Sequence, residues 1–300
     1  MSALFRNLRD GQGFDTLLAL LALAYLMVFS AFPLVYNILM SFQEVDMFSL
    51  ASLVRPFVGL ANYKALFASP DFWPVIWNTI VFVGLCIIFQ LMIGFGLALF
   101  FQQDFPGGSY LRGLFLAAWI MPALVAGAVW KWIFAGDFGV LNYLLQSAGL
   151  IHDKVFWLSN PQISLYSVII ANIWLGIPFN MILLSVGLAG IPKDMYEAAA
   201  LDGANAWQRF WHMTLPMMRS TIGAVVSLGI IFTLQQFDLF ASLTQGGPAN
   251  ASNVAQYWSW QLSFQIYDIA SGSAVSCLML GFVIIVAVIY VRSTRHEHRA

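Results

Sequence analysis

"MYEAAALDGANAWQRFWHMTLP" occupies Met195–Pro216, between two of the longest apolar stretches of the chain. It carries Glu197, Asp202, Asn205 and Arg209, side chains that hydrocarbon does not accept. Asp194 precedes it as a candidate N-cap, and Glu197 follows three residues on, in capping-box position. That spacing predicts a short helix over Met195–Asp202, stopped by Gly203, the residue type that takes a left-handed conformation at helix ends without steric penalty. A second short helix starts at Asn205. Its residues Trp207, Phe210, Trp211 and Thr214 fall at i, i+3, i+4 and i+7, one helical face. Pro216 then opens the next apolar helix. Ala198, Ala199 and Ala200 are small enough to let another surface approach the backbone closely. The residues alone leave two readings open: a surface hairpin in which Glu197 only caps, or a docking element.

Outside this segment the chain is built for lipid. Of its 300 residues 60% are hydrophobic and 9% charged, where a soluble domain carries about 25% charged residues. The expected fold class is all-α, a polytopic membrane protein with six transmembrane helices. A spanning helix needs about 20 mostly apolar residues, and the stretches that qualify are Leu17–Met40, Pro74–Phe101, Leu111–Phe134, Ile163–Ala189, Ser220–Phe240 and Ile269–Val291. The first is too long for a signal-peptide core and is read as a retained helix. The expected layout is a tail over residues 1–16, a membrane domain over 17–291 with a polar loop over 190–219, and a tail over 292–300.

Charge placement gives a direction. With both termini on one side, nine of the 13 basic residues share it: Arg6, Arg9, Arg112, Lys193, Arg209, Arg219, Arg292, Arg295 and Arg299. Arg55, Lys64, Lys131 and Lys154 fall on the other side. The positive-inside rule therefore places both termini and the Met195–Pro216 segment in the cytoplasm. A net charge of −1 offers no basic face to nucleic acid. Cys86 and Cys277 lie in apolar stretches and read as small packing residues rather than a disulfide, metal ligands or nucleophiles. Trp73, Trp77, Trp130, Trp132, Trp157, Tyr257, Trp258 and Trp260 are read as aromatic belts at the interfaces. Gln102–Tyr110 is a turn built on Pro and Gly. "RHEHR" (Arg295–Arg299) reads as a basic anchor rather than a metal site.

"EAAALDGANAWQRFWHMTLP" resembles the EAA motif of bacterial ABC-importer permeases: EAA, then DGA, then a terminal LP. The resemblance is to the carbohydrate branch, of the maltose and glycerol-phosphate permease type. Three further stretches agree with it in order: "VGLANYKALF" (Val58–Phe67), "NIWLGIPFNMIL" (Asn172–Leu183) and "FDLFASLTQGGP" (Phe237–Pro248). The resemblance implies the MetI-like architecture of a type I importer, in which the EAA loop is the coupling helix that docks in a cleft of the ATP-binding subunit. Glu197, Ala198, Ala199, Asp202 and Gly203 stand at the matching positions. One departure touches the geometry after the loop: Arg219 and Ser220 stand where the family often has another proline. The resemblance also implies a second homologous permease, two ATP-binding subunits and a periplasmic or lipid-anchored sugar-binding protein. Transport would then proceed by ATP-driven alternating access in the bacterial inner membrane. The chain's lysines are Lys64, Lys131, Lys154 and Lys193, and no glycine precedes any of them, so it holds no G-x-x-x-x-G-K-[ST] phosphate loop. The expectation is a non-enzyme without cofactor or metal of its own, with ATP and Mg on the partner subunits.

Polar residues inside membrane helices usually face the bundle interior. The candidates are Asn78, Gln90, Asn172, Asn180, Thr233, Gln235 and Gln236. Amides suit sugar hydroxyls because they both donate and accept, but they equally tie helices together. The family's cavity positions correspond here to Asn172, Leu175, Gly176 and Phe179, and to Gly229, Phe232, Thr233 and Gln236. Each set repeats the i, i+3, i+4, i+7 spacing of one helix face. Asn78 joins them as a candidate substrate ligand. Asp238, the one acid closely flanked by membrane-helix sequence, lies near the outer end of its helix and is read as structural or gating.

Two other function classes compete. An ion-coupled secondary transporter needs coupling sites near mid-membrane, and Asp238 is off-centre. A membrane-embedded enzyme needs paired carboxylates, a His/Asp pair or H-E-x-x-H at membrane depth, and none occurs. The substrate class spans neutral sugars, polyols and anionic phospho- or sulfo-sugar derivatives. The absence of an obvious arginine from the spans leans toward neutral.

Overall fold

Every backbone amide in a lipid-facing segment must be paired within its own segment, which leaves helices as the answer to runs this apolar. The computed structural model describes residues 12–52, 54–103 and 105–297, with the backbone alone at 12, 13 and 293–297. Arg6, Arg9, His298, Arg299 and residues 1–11 of the expected tail over 1–16 lie outside the described residues, and the rest of that tail, from Gln12, is helical.

The described chain divides into two units. One holds the chain up to Ala68 together with Gln261–Cys277. Its α1 (Phe14–Met40) is long and apolar enough to span a membrane. α2 (Ala61–Ala68) is the "NY" stretch, and its side chains tie it to the end of α1. Asn62 Nδ2 donates to the carbonyls of Ser41 and Gln43, each at 2.9 Å, and the Tyr63 hydroxyl donates to Ser41 Oγ at 2.8 Å. The two Asn62 bonds satisfy carbonyls that the end of α1 leaves open.

The other unit holds Ser69–Trp260 and the chain from Leu278 onward. It contains α3 (Phe72–Phe101), α4 (Gly108–Ile120), α5 (Ala123–Ile133), α6 (Val140–Ser147) and α7 (Ser164–Ala189). α8 (Lys193–Leu201) and α9 (Ala206–Met217) follow, then α10 (Arg219–Leu234), α11 (Asp238–Leu243) and α12 (Ala255–Trp260). α13 (Ile269–Glu297) contributes to both units. Among the described residues four helices are long and apolar enough to span, α1, α3, α7 and α13, and six spans result if each of two bent pairs is one.

Both bent pairs depart from the sequence expectation. Leu111–Phe134 is not one straight helix, because α4 and α5 meet at 98°. Pro122 has no N–H and holds the residue before it out of the α region, and Met121 is extended at φ −64°, ψ 128°. α9 and α10 meet at 67°. Pro216 therefore closes α9 rather than opening the membrane helix, which starts at Arg219. The expected span Ser220–Phe240 stops at Leu234, where the polar pair Gln235 and Gln236 leaves the helix before α11 begins at Asp238. The expected tail over 292–300 is helical through Glu297.

α3 and α7 form the most extensive helix pair. They touch at Gly94, where a Cβ would sit 2.7 Å from Asn180 Cβ and 3.1 Å from the Met181 nitrogen, so a small residue sets their spacing. Phe82, Cys86, Val168, Leu239, Phe240 and Tyr257 form one core around this pair. Phe95, Leu184, Leu188, Ile191, Met218 and Val225 form a second, at the end that carries α8 and α9. The aromatic belt splits. Trp73, Trp77 and Trp132 are exposed, whereas Tyr257 and Trp258 are buried and Trp130, Trp157 and Trp260 pack against the first core. Trp157 Nε1 also donates to Asn142 Oδ1 at 2.9 Å. Hydropathy could not separate these two groups, because a ring at the edge of a span suits either environment.

Candidate functional site

A cavity of about 340 Å³ opens between α3, α7, α10 and the α4–α5 break, within the size range of small-molecule sites. All eight residues expected from α7 and α10 line it: Asn172, Leu175, Gly176, Phe179, Gly229, Phe232, Thr233 and Gln236. The helical spacing explains why they converge. Asn172, Leu175, Gly176 and Phe179 form one stripe of α7, Gly229, Phe232 and Thr233 form the facing stripe of α10, and Gln236 joins them from just beyond the end of α10. Gln90 and Asn180, also polar candidates, line it too.

The sequence reading missed Trp119, Met121 and Ala123, which line the cavity from the break. The available signal was Pro122, a proline in the middle of an apolar run. The bend lets Trp119 join a row of rings: its ring stacks on Phe179 at 5.9 Å, and Phe179 meets Phe232 edge-on at 5.4 Å. The cavity thus offers an aromatic wall and a set of neutral hydrogen-bonding groups, and among the described residues no charged side chain lines it.

Gly176 has a different role from the open gap expected. A Cβ there would lie 2.3 Å from Gln90 Nε2, so the glycine makes room for the Gln90 side chain. Gln90 Nε2 donates to the Asn172 carbonyl at 2.8 Å, and Asn180 Nδ2 donates to the Gly176 carbonyl at 3.0 Å. These bonds hold two cavity amides in fixed directions. Asn78 is not at the cavity. Its Nδ2 lies 3.1–3.2 Å from the carbonyl oxygens of Asn250, Ala251 and Asn253, so its donors fasten the loop before α12. Asp238 is exposed and sits in the first turn of α11, where a carboxylate complements the helix dipole. It does not line the cavity.

The polar loop forms the helix–turn–helix expected of it, by different capping. α8 starts at Lys193 behind Pro192, and Asp194 makes no capping bond. Proline at the N-cap moves the helix start one residue ahead of Asp194. The capping box belongs to α9. Asn205 Oδ1 accepts from the Gln208 N–H at 2.9 Å, and the Asn205 N–H donates to Gln208 Oε1 at 2.9 Å. The sequence signal is N-x-x-Q at Asn205–Gln208.

Gly203 ends α8 at φ +80°, with the Ala204 N–H on the Ala199 carbonyl at 2.9 Å and the Gly203 N–H on Ala200 at 3.1 Å. That is the paired bonding of a Schellman turn. Glu197, Ala198, Asp202 and Gly203 are exposed, and Ala199 is half-buried. Leu201 at 89% exposure and Trp207 at 70% leave large apolar side chains beside them. The predicted apolar face of α9 is divided: Thr214 is buried and Phe210 packs edge-on against Phe95 at 5.6 Å, while Trp207 and Trp211 stay exposed. A π turn over Phe210–Thr214 shifts the helical register between them. Tyr196 Oη and Thr214 Oγ1, 3.1 Å apart, bind α8 to α9.

The family of binding-protein-dependent transport system inner membrane components matches residues 90–296. The trehalose/maltose transport system permease protein MalF of Thermococcus litoralis is 30% identical over 80% of this chain and 81% of its own length. The sulfoquinovosyl glycerol transport system permease protein SmoG of Agrobacterium fabrum is 30% identical, over 94% and 91% respectively. A solved chain of a bacterial ABC transporter involved in the import of the acidic polysaccharide alginate shares the fold. Its TM-score is 0.80 at 21% identity, over 100% of this chain and 99% of that one. The matched region takes in every residue given for the cavity lining, the helix–turn–helix loop and most of α13, and this chain belongs to the family of binding-protein-dependent transport system inner membrane components, as a permease subunit of an ABC importer.

Proposed function

We propose that this chain carries a sugar or sugar derivative across the inner membrane, and that the cavity between α3, α7 and α10 is its part of the path. The observation that carries this reading is the cavity's lining: an aromatic wall of Trp119, Phe179 and Phe232 facing neutral groups on Gln90, Asn172, Asn180, Thr233 and Gln236. An aromatic face suits the apolar face of a pyranose, and amides and hydroxyls both donate and accept, as sugar hydroxyls do. Trehalose and maltose, named for one relative, agree with that chemistry, while sulfoquinovosyl glycerol, named for another, shares the sugar ring and hydroxyls and adds a sulfonate.

The Glu197–Gly203 helix and turn is the contact for an ATP-binding subunit, supported by the small exposed side chains of Ala198 and Ala200 and by the Schellman turn. ATP and Mg bind on that partner, where hydrolysis takes place. The loop and both termini are cytoplasmic, as the basic residues indicate, and the membrane domain spans residues 17–291. A second permease, a second ATP-binding subunit and a substrate-binding protein on the outer side complete the importer. Closure of the ATP-binding pair displaces the docked turn. Tyr196, next to that turn, packs against the core of Leu184, Leu188, Ile191, Met218 and Val225, which joins it to α7 and α10. Both helices also line the cavity, so the motion reaches the substrate.

Asn172→Ala and Gln236→Ala should each lower uptake per assembled complex by about two- to tenfold, the cost of one net hydrogen bond to a neutral partner. Complex yield should be unchanged. Uptake in proteoliposomes measured beside that yield tests the reading. Normal uptake per complex with reduced yield would assign both residues to helix packing and place the path elsewhere.

A further inference from the structure

The chain that leaves α1 closes on itself. Gln43 and Phe57 form an antiparallel bridge. The Glu44 N–H donates to the Pro56 carbonyl at 3.0 Å, and the Val58 N–H to the Phe42 carbonyl at 2.9 Å. Both ends of the loop are therefore held where α1 stops. Arg55 then folds the loop back against that helix. It is 8% exposed, its guanidinium lies over the Tyr36 ring at 5.3 Å from the centroid, and Nη2 donates to the Tyr36 hydroxyl. Tyr36 stands one turn, about 6 Å, inside the end of α1 at Met40.

The loop pairs its carbonyls internally and leaves apolar side chains outside. Arg55 Nε donates to the Ser49 carbonyl at 3.0 Å, and Nη2 to the Leu50 carbonyl. Ser52 Oγ donates to the Val54 carbonyl at 2.9 Å, and the Val45 carbonyl accepts from the Ala270 N–H at 3.3 Å. The Asp46 N–H donates to Ser49 Oγ at 2.9 Å and the Ser49 N–H to Asp46 Oδ1 at 2.7 Å, a turn with Met47 and Phe48 at its centre. Phe48 at 94% exposure and Val54 at 90% are the most exposed large apolar side chains among the described residues. Water would satisfy these carbonyls without a buried arginine, and it penalises exposed Phe and Val. At a lipid interface both preferences reverse: backbone groups must find partners within the protein, and apolar side chains are accepted.

We infer that this loop is an interfacial anchor: Met47, Phe48, Leu50 and Val54 rest in the boundary between lipid head groups and acyl chains at the end of α1. The partner is the lipid surface, and the attraction is apolar. Arg55 is buried within the loop, and Glu44 and Asp46 are exposed acids, so no charge here draws an anionic head group. The inference rests on the reading of α1 as a membrane span and is independent of the substrate.

The test places an NBD label on Phe48→Cys in the complete importer, assembled in phosphatidylcholine nanodiscs. So exposed a ring has little packing to lose on replacement. Cys86 is buried and Cys277 half-buried, and the wild-type importer treated with the same label supplies the background. A fraction of the lipid carries a doxyl quencher near the head of its acyl chain. Phe48→Cys should lose emission in proportion to that fraction, with and without the binding protein. Neutral lipid suffices, because the contact is apolar. Val54→Cys should behave in the same way and decides the matter if Phe48→Cys does not assemble. Val28→Cys, exposed in the middle of α1, tests the span itself with a doxyl group near the end of the acyl chain. Quenching at Val28→Cys with none at Phe48→Cys overturns the anchor and leaves the span intact. Iodide then distinguishes the two remaining occupants: it quenches a label that faces water and spares one covered by another subunit. Doxyl quenching at neither position overturns the span and the anchor together.

Discussion

Gly203→Pro should abolish coupled uptake and release the ATP-binding subunit during purification. Gly203 sits at φ +80° with an N–H bonded to the Ala200 carbonyl at 3.1 Å. Proline fixes φ near −65° and has no N–H, so the turn between α8 and α9 cannot survive the change. A proline in an incompatible helical position costs about 3 kcal/mol or more, equivalent to roughly a hundredfold in affinity for a partner that reads the turn. A Cβ at position 203 would meet nothing within 4 Å, so steric crowding inside the chain is not the cause. Gly203→Asn, which tolerates the left-handed conformation, should restore most of the uptake. The measurement is co-purification of the ATP-binding subunit together with uptake per permease. Intact co-purification and normal uptake in Gly203→Pro would separate the loop from coupling.

Gly176→Trp should lower uptake roughly a hundredfold with the complex still assembled. The indole enters the space that Gln90 occupies, since even a Cβ would come within 2.3 Å of Gln90 Nε2. Gln90 then loses its 2.8 Å bond to the Asn172 carbonyl, and the displaced groups obstruct the cavity. Overpacking costs about 1–3 kcal/mol and a lost hydrogen bond about 1 kcal/mol more. The end of a glutamine side chain is a flexible neighbour, so the helices themselves need not part. By contrast, Gly94 faces the Met181 backbone nitrogen across 3.1 Å, and a side chain there would force α3 and α7 apart. A Gly176→Trp complex formed in poor yield but transporting normally would show that this glycine serves packing alone.

The stripes of the cavity were legible because a helix of 3.6 residues per turn fixes which residues share a face. Asn172 to Phe179 and Gly229 to Gln236 came together on that ground and on the family resemblance. The break at Pro122 was not read, because hydropathy sums over a window and Leu111–Phe134 is apolar on both sides of the bend. Trp119 was lost with it. Asn78 looked like its fellow amides because sequence does not say whether an amide's donors meet a loop or a cavity. Only the tertiary position of Asn250–Asn253 decides that. In the polar loop the Gly203 stop was readable from residue type, but the start of α8 and the place of the capping box were not. Pro192 took the start of α8, and the box formed at Asn205 and Gln208 instead.

The central claim is that ATP-driven motion of the Glu197–Gly203 turn moves a sugar through the α3–α7–α10 cavity. Its most direct test is sugar uptake by proteoliposomes containing this chain, its partner permease, the ATP-binding subunits and the binding protein, measured with and without ATP and with and without proton or sodium gradients. The account predicts uptake that requires both ATP and the binding protein, is indifferent to either gradient, and is lost in Gly203→Pro. Uptake that persists without ATP and follows an imposed ion gradient would contradict it.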